Sequence, residues 1–199
     1  MSSPRIVLAS TSKYRKGLIE RLGIAVDAVA PDFDERAAES EIGAGSTEDL
    51  ALALAIGKAR SLAESCPGAL ILGADQIAEV DGERLHKPGT RENARAQLRK
   101  LSGRAHRLIT AVALLRAEDG RIETIVDVHR LTMRPLGDDA IARYVDRERP
   151  LDCAGSYKIE SLGIALFERI DGADFTAIVG LPLTAVVTLL GRFGVDVLA

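Results

Sequence analysis

The sequence predicts an α/β protein built on a mixed sheet with helices packed around it, and three observations carry that prediction. Apolar runs of strand length alternate with helical runs along most of the chain. Two long runs, "HRLITAVALLR" and "RIETIVDVHRLTM", are joined only by a Glu-Asp-Gly turn, which reads as a hairpin and breaks a purely parallel pattern. No internal repeat and no low-complexity block interrupts the order.

The elements follow in sequence. "RIVLAS" reads as a buried strand, and Ser12 caps a helix that runs to its stop at Gly23. "IAVDAVAP" is a second strand, ended by Pro31. The polar, Gly-bearing stretch "FDERAAESEIGAGS" is expected to be a mobile loop. A long helix then starts at Thr47 and stops at Pro67-Gly68. "ALILGAD" is a continuous apolar strand with Asp75 at its carboxyl end, and "IAEVDGERL" turns back at Asp81-Gly82. Thr90 caps the helix "RENARAQLRKLSG". After the long hairpin come a short helix from about Asp138 to Arg147, the loop "DCAGSYKIESLG", a strand "IALFERIDG" and a last helix "LTAVVTLLGRFG".

Composition narrows the class. With 199 residues, 47% hydrophobic and 28% charged, the chain has the make-up of an ordinary globular protein able to bury a core unaided. A net charge of -3 opposes general affinity for nucleic acid. Two cysteines, Cys66 and Cys153, form neither a disulfide framework nor a metal-ligand spacing, which points to a reducing compartment. No signal peptide is legible and the apolar runs fall short of a bilayer span, so a cytoplasmic protein is expected, with no membrane partner.

Several residues suit phosphate chemistry. A strand that ends in Ser10, Thr11 and Ser12 before a helix start can favour an anion, and Arg15 and Lys16 in that first turn sit badly with the helix dipole unless one is present. The plain alternative is a helix cap followed by a solvated cationic turn. Asp75 lies where open sheets place ligands, and Lys87 follows the hairpin that returns toward it. An acid, a lysine and an anion-binding turn together suit a phosphate ester or anhydride; singly, each reads as an ordinary strand-end acid or surface charge. Glu35 in the polar loop and Lys58 in a mostly apolar helix are weaker candidates. His86, His106 and His129 have no ligand spacing, and no Ser-His-Asp or reactive-cysteine arrangement is present.

Eight stretches in order, "LASTSKYRK", "FDE", "IGKA", "GADQ", "DGERLHKP", "GRAHRLIT", "CAGSYKIESLG" and "IVGLPL", resemble the Maf family of nucleoside-triphosphate pyrophosphatases. The resemblance spans essentially the whole chain, so residues 1–199 are expected to form one such domain. It implies an extended mixed β-sheet with flanking helices and a deep cleft between two lobes, as in the inosine-triphosphate pyrophosphatases. The implied reaction is hydrolysis between the α and β phosphorus atoms, with a divalent cation (Mg²⁺, Mn²⁺ or Co²⁺) and a small nucleoside triphosphate as partner. The resemblance assigns Asp75 as the catalytic acid that accepts a proton from water. It places Ser10, Arg15, Lys58 and Lys87 at phosphate-binding positions, Glu35 and Asp75 as metal ligands, and implies a homodimer. Where the family often has a second arginine, this chain has Lys16, which keeps the charge but loses the bidentate fork.

Three positions vary with the base, here Tyr14, Gln76 and Glu160. A branch acting on dTTP and UTP typically has Arg, Thr and Gln there. This chain resembles instead the branch acting on 7-methyl-GTP, which has an aromatic, Gln and Glu and removes modified nucleotides. The pattern has a physical logic. N7 methylation leaves a positive ring that an aromatic face attracts, and a carboxylate accepts both N–H groups of the guanine edge. The rival expectations are a dTTP/UTP pyrophosphatase of the same family and a non-enzymatic septum-formation regulator.

Overall fold

Strand β1 (Ile6–Ala9) is buried at every residue and lies between β2 (Val26–Val29) and β3 (Leu70–Val80), parallel to both. This computed structural model describes residues 4–42 and 45–199. Among them a seven-stranded sheet runs in the order β2-β1-β3-β5-β6-β7, with β4 (Glu83–Leu85) paired to β3. β5 spans Ala105–Arg116, β6 Ile122–Met133 and β7 Phe167–Asp171. Parallel pairs on one side and the antiparallel β3–β4 and β6–β7 pairs elsewhere make the sheet mixed, as the sequence predicts.

The helix starts follow the caps. Ser12 caps α1 (Lys13–Ile19), whose last turn tightens to 3₁₀ over Glu20–Leu22 before Gly23 stops it at φ 69°. Ser46, one residue ahead of the expected start, caps α3 (Thr47–Arg60) by accepting from the Asp49 N–H. The regular helix ends at Arg60, and turns carry the chain to Pro67. Thr90 caps α4 (Arg91–Leu101), and α5 (Asp138–Glu148) and α7 (Leu183–Arg192) lie where expected. The sequence did not show α6 (Phe175–Val179), one short turn capped by Asp174.

Two expectations need correction. The stretch taken for a mobile loop holds a helix, α2 (Glu35–Ile42), while residues 43 and 44 lie outside the described residues. Asp34 nucleates it, because its Oδ1 accepts from the Arg36 and Ala37 N–H groups, and Ala37, Ala38 and Glu39 then propagate it. Asp75 is also not at the end of its strand, since β3 continues to Val80. The carboxyl end that matters is that of β1. The parallel register runs from Ile6 opposite Leu70 to Leu8 opposite Leu72, and β1 stops at Ala9. Asp75 therefore sits on the part of β3 that outruns its neighbour.

The chain divides into two compact units. The first comprises Met1–Asp75, Thr110–Asp127 and Asp174–Ala199; the second comprises Gln76–Ile109 and Val128–Ala173. In the first unit the pleat of β3 serves two cores. Leu70, Leu72 and Ala74 pack with α1 and α7, while Ile71 packs with Ala59 and Leu62 on the other face. Gly73 shares the face of Ile71, and a Cβ there would lie 2.0 Å from the Ala55 carbonyl oxygen. Glycine is what lets α3 lie against β3. None of the described helices is long and apolar enough to cross a membrane.

Candidate active site

The close approach of α3 to β3 at Gly73 fixes what happens two residues on. Asp75 and Gly73 share a face of β3, and Lys58 lies one turn beyond Ala55 on α3, so the two side chains meet. Lys58 Nζ donates to Asp75 Oδ1 at 2.6 Å. The pair is almost out of water, Lys58 at 4% exposure and Asp75 at 7%. The same ammonium lies 3.1 Å from Glu35 Oε2 at the exposed start of α2. What brings α2 there is Phe33, whose ring covers Gly57; a Cβ at Gly57 would stand 2.3 Å from the ring. Gly57, next to Lys58 in "IGKA", is thus a packing glycine.

The turn after β1 supplies the next groups. Ser10 is buried, and its Oγ accepts from the Ser12 N–H at 3.1 Å, while Ser12 Oγ accepts from the Arg15 N–H. Arg15 is half-buried and donates through Nε to the Gly180 carbonyl at 3.0 Å. Burial pushes the Arg15 pKa below its ordinary value, and the carboxylates of Asp75 and Glu35 pull it back up. That pull places Arg15 in the field of the same two acids. Beside it on α1, Tyr14 is half-buried and carries the Lys13 ammonium 5.0 Å from its ring centroid.

The sequence reading missed what holds Gly180. Asp174 is buried, with Oδ1 accepting from the N–H and hydroxyl of Thr176 and Oδ2 from the N–H and hydroxyl of Thr184. Burial alone would raise its pKa, but these hydrogen bonds outweigh it and hold the carboxyl below its usual value. Thr176 Oγ1 then accepts from the Leu183 N–H, and Thr110 Oγ1 donates to the Ala177 carbonyl. The available signal was "IVGLPL" preceded by an Asp-x-Thr cap.

The second unit carries Gln76, Lys87 and Glu160. Gln76 follows Asp75 in β3 and is half-buried; the pleat sends its side chain to the opposite face. Lys87 is exposed after β4, and Glu160 is exposed in the turn between Lys158 and Gly163. Burial and the neighbouring Asp152 push the Cys153 thiol up to about 12, which disfavours its thiolate.

Glu35 and Asp75 are hard oxygen donors that converge on one positive group, which suits a cation of the Mg²⁺ type. Among the described residues no group of three or more His, Cys, Asp or Glu forms a protein-only metal cage. Two carboxylates with substrate oxygens and water completing the shell is the usual pattern for Mg²⁺.

Residues 5–193 match the Maf-like protein family. The chain belongs to the Maf family. It is 47% identical over 193 residues to the 7-methyl-GTP pyrophosphatase of Bordetella pertussis, covering 97% of this chain and 94% of that protein. It is equally 47% identical over 191 residues to the 7-methyl-GTP pyrophosphatase of Xanthomonas campestris pv. campestris, covering 96% and 97%. Among solved structures, the Ham1 protein of Staphylococcus aureus shares the fold, with a TM-score of 0.50 and 18% identity over 95% of this chain and 97% of that one. On the Maf frame, the resemblance seen in eight separate stretches becomes one continuous match.

Proposed function

We propose that this chain is a nucleotide pyrophosphatase that hydrolyses 7-methyl-GTP to 7-methyl-GMP and pyrophosphate. The observation that carries the proposal is the buried Lys58–Asp75 pair with Glu35 and Arg15 around it, in a chain nearly half identical to proteins named for that reaction.

Each residue then has a task that its surroundings fit. Asp75 accepts the proton of the attacking water, and the Lys58 bond fixes which way its carboxylate points. Arg15 is tied through Nε to Gly180, so its outer nitrogens are the ones presented to phosphate oxygens. Lys58, Arg15 and the exposed Lys87 offset charge on a triphosphate. Ser10 is engaged with the Ser12 N–H and shapes the turn around the phosphates. Glu35 and Asp75 would hold the divalent cation, which when bound neutralises phosphate charge and polarises the phosphoryl oxygens. Tyr14, Gln76 and Glu160 would select the base. The Tyr14 ring already attracts one cation, Lys13, which is the property a positively charged 7-methylguanine calls on.

A substrate panel tests the reading. Pyrophosphate release from 7-methyl-GTP, GTP, UTP and dTTP is compared with Mg²⁺, Mn²⁺ or Co²⁺ added. Fastest turnover of 7-methyl-GTP is expected. Preference for a pyrimidine triphosphate would end the specificity proposal but keep the reaction class, and no pyrophosphate from any of them would end both.

A further inference from the structure

Resting on that reading of Lys87 and Glu160, we infer that Gln97 is a positioning residue that sets the phosphate-side lysine and the base-side glutamate through one side chain. Gln97 lies on α4 in the second unit, half-buried, with both ends of its amide engaged. Its Nε2 donates to the His86 carbonyl at 2.8 Å. Its Oε1 accepts from the Ser156 hydroxyl at 2.6 Å.

The first bond belongs to a pair. Asn93, one helical turn earlier on the same face, donates through Nδ2 to the Pro88 carbonyl at 3.0 Å. The two α4 amides therefore hold the carbonyls on either side of Lys87. Its own side chain is exposed, so this backbone anchoring decides where its ammonium hangs.

The second bond reaches the loop that carries Glu160. Ser156 is fully buried and sits at φ 62°, a left-handed conformation that non-glycine residues seldom adopt. Beyond it, the Lys158 N–H donates to the Tyr144 hydroxyl, and the Lys158 carbonyl accepts from the Ser161 and Gly163 N–H groups. Glu160 hangs from that closed turn. A Cβ at Gly163 would lie 2.2 Å from the Lys158 carbonyl oxygen, so this turn requires glycine there. The hydroxyl that Gln97 receives ties the start of this segment to α4, while Tyr144 holds it at Lys158.

The two bonds are separable by substitution. Ser156→Gly removes the hydroxyl and accepts φ 62° without strain. Gln97→Glu keeps an acceptor for Ser156 but loses the donor to His86. Asn93→Ala, at an exposed position, loses only the Pro88 contact. Steady-state kinetics on 7-methyl-GTP and GTP would be run beside thermal melting and the controls Lys87→Ala and Glu160→Gln. We expect Ser156→Gly to cut the 7-methyl-GTP over GTP ratio of kcat/KM at least threefold. We expect Gln97→Glu and Asn93→Ala to raise KM at least threefold for both nucleotides and leave that ratio unchanged. If the folded variants all stay within twofold of wild type while the two controls are impaired, the role of Gln97 is overturned alone. If the controls are silent too, the reading of Lys87 and Glu160 falls and takes this inference with it.

Discussion

Lys58 and Asp75 form a buried ion pair 17 residues apart in sequence, with Nζ 2.6 Å from Oδ1 and Glu35 on the open side of the same ammonium. The lysine bond fixes which way the Asp75 carboxylate points. The pair also explains why one strand glycine and one helix glycine sit beside it: without Gly73 and Gly57 neither α3 nor Phe33 lies close enough.

Asp75→Asn keeps the shape of the side chain and an acceptor for Lys58 but removes the proton acceptor proposed for the attacking water. Pyrophosphate release should fall by about 10²- to 10⁴-fold, the usual share of a positioned general base. Nucleotide binding, measured by calorimetry on the same variant, should persist. Near-normal turnover would remove Asp75 from its role.

Lys58→Met tests the pair as a structural element. Removing one partner leaves a carboxylate at 7% exposure without its main counter-charge, which typically costs about 3–5 kcal/mol. Adding Asp75→Asn removes the orphaned charge, so the double variant should unfold at higher urea than Lys58→Met alone. The reverse order would show that the pair is not what the core tolerates poorly.

Much of the fold was legible in the sequence, and the limits have physical causes. The mixed sheet followed from strand-length runs and a long hairpin, and the caps at Ser12 and Thr90 were read correctly. Asp75 was singled out as a strand-end acid, but it ends no strand, and only the register with β1 shows where it emerges. The α2 helix was hidden because "FDERAAESEIGAGS" is polar at half its positions and glycine-bearing at its end, while the deciding contact is a single Asp34 cap. Arg15 and Gly180 are 165 residues apart, so the bond that orients the guanidinium has no local signature. Asp174 and Gln97 were passed over for the same reason: each acts by holding backbone that carries another residue.

The two packing glycines should respond differently to alanine. At Gly57 the added Cβ meets the side chain of Phe33, which can move; at Gly73 it meets the Ala55 backbone, which cannot without parting α3 from β3. Gly73→Ala should therefore destabilise more in urea unfolding. Adding Phe33→Ala should restore stability to Gly57→Ala and give nothing to Gly73→Ala. Equal rescue of both would contradict the geometry.

His106 gives the second unit a pH dependence of known sign. It is 2% exposed, 3.0 Å from the Tyr157 hydroxyl through Nε2, and burial pushes its pKa down to about 4. Since the unfolded value is near 6.5, the unfolded chain takes a proton between those limits that the folded one refuses. Its stabilising effect is complete above about pH 6.5 and is lost as pH falls toward 4, by roughly 3 kcal/mol at most. His106→Gln removes the titration and keeps a polar partner for Tyr157. Urea unfolding at pH 7.5 and 4.5 should show a smaller drop for that variant than for wild type, and equal drops would refute the assignment.

Tyr14 is the position where packing and recognition can be told apart. Its ring is half-buried against α1's surroundings, and Lys13 already holds an ammonium over one face. If the ring also meets the methylated base, the attraction is worth about 0.5–2 kcal/mol, or about a 2- to 30-fold preference for 7-methyl-GTP over GTP. Tyr14→Leu keeps the apolar bulk and loses the ring face, so the ratio of kcat/KM for the two nucleotides should fall within that range. Tyr14→Trp should keep or raise it, because indole is the stronger platform. Tyr14→Arg should lower it further than leucine, since a guanidinium repels the positive base while leaving the phosphates attracted. That graded order, Trp above Tyr above Leu above Arg, is expected of an electrostatic contact. A flat series with only melting temperature changed would make Tyr14 a packing group.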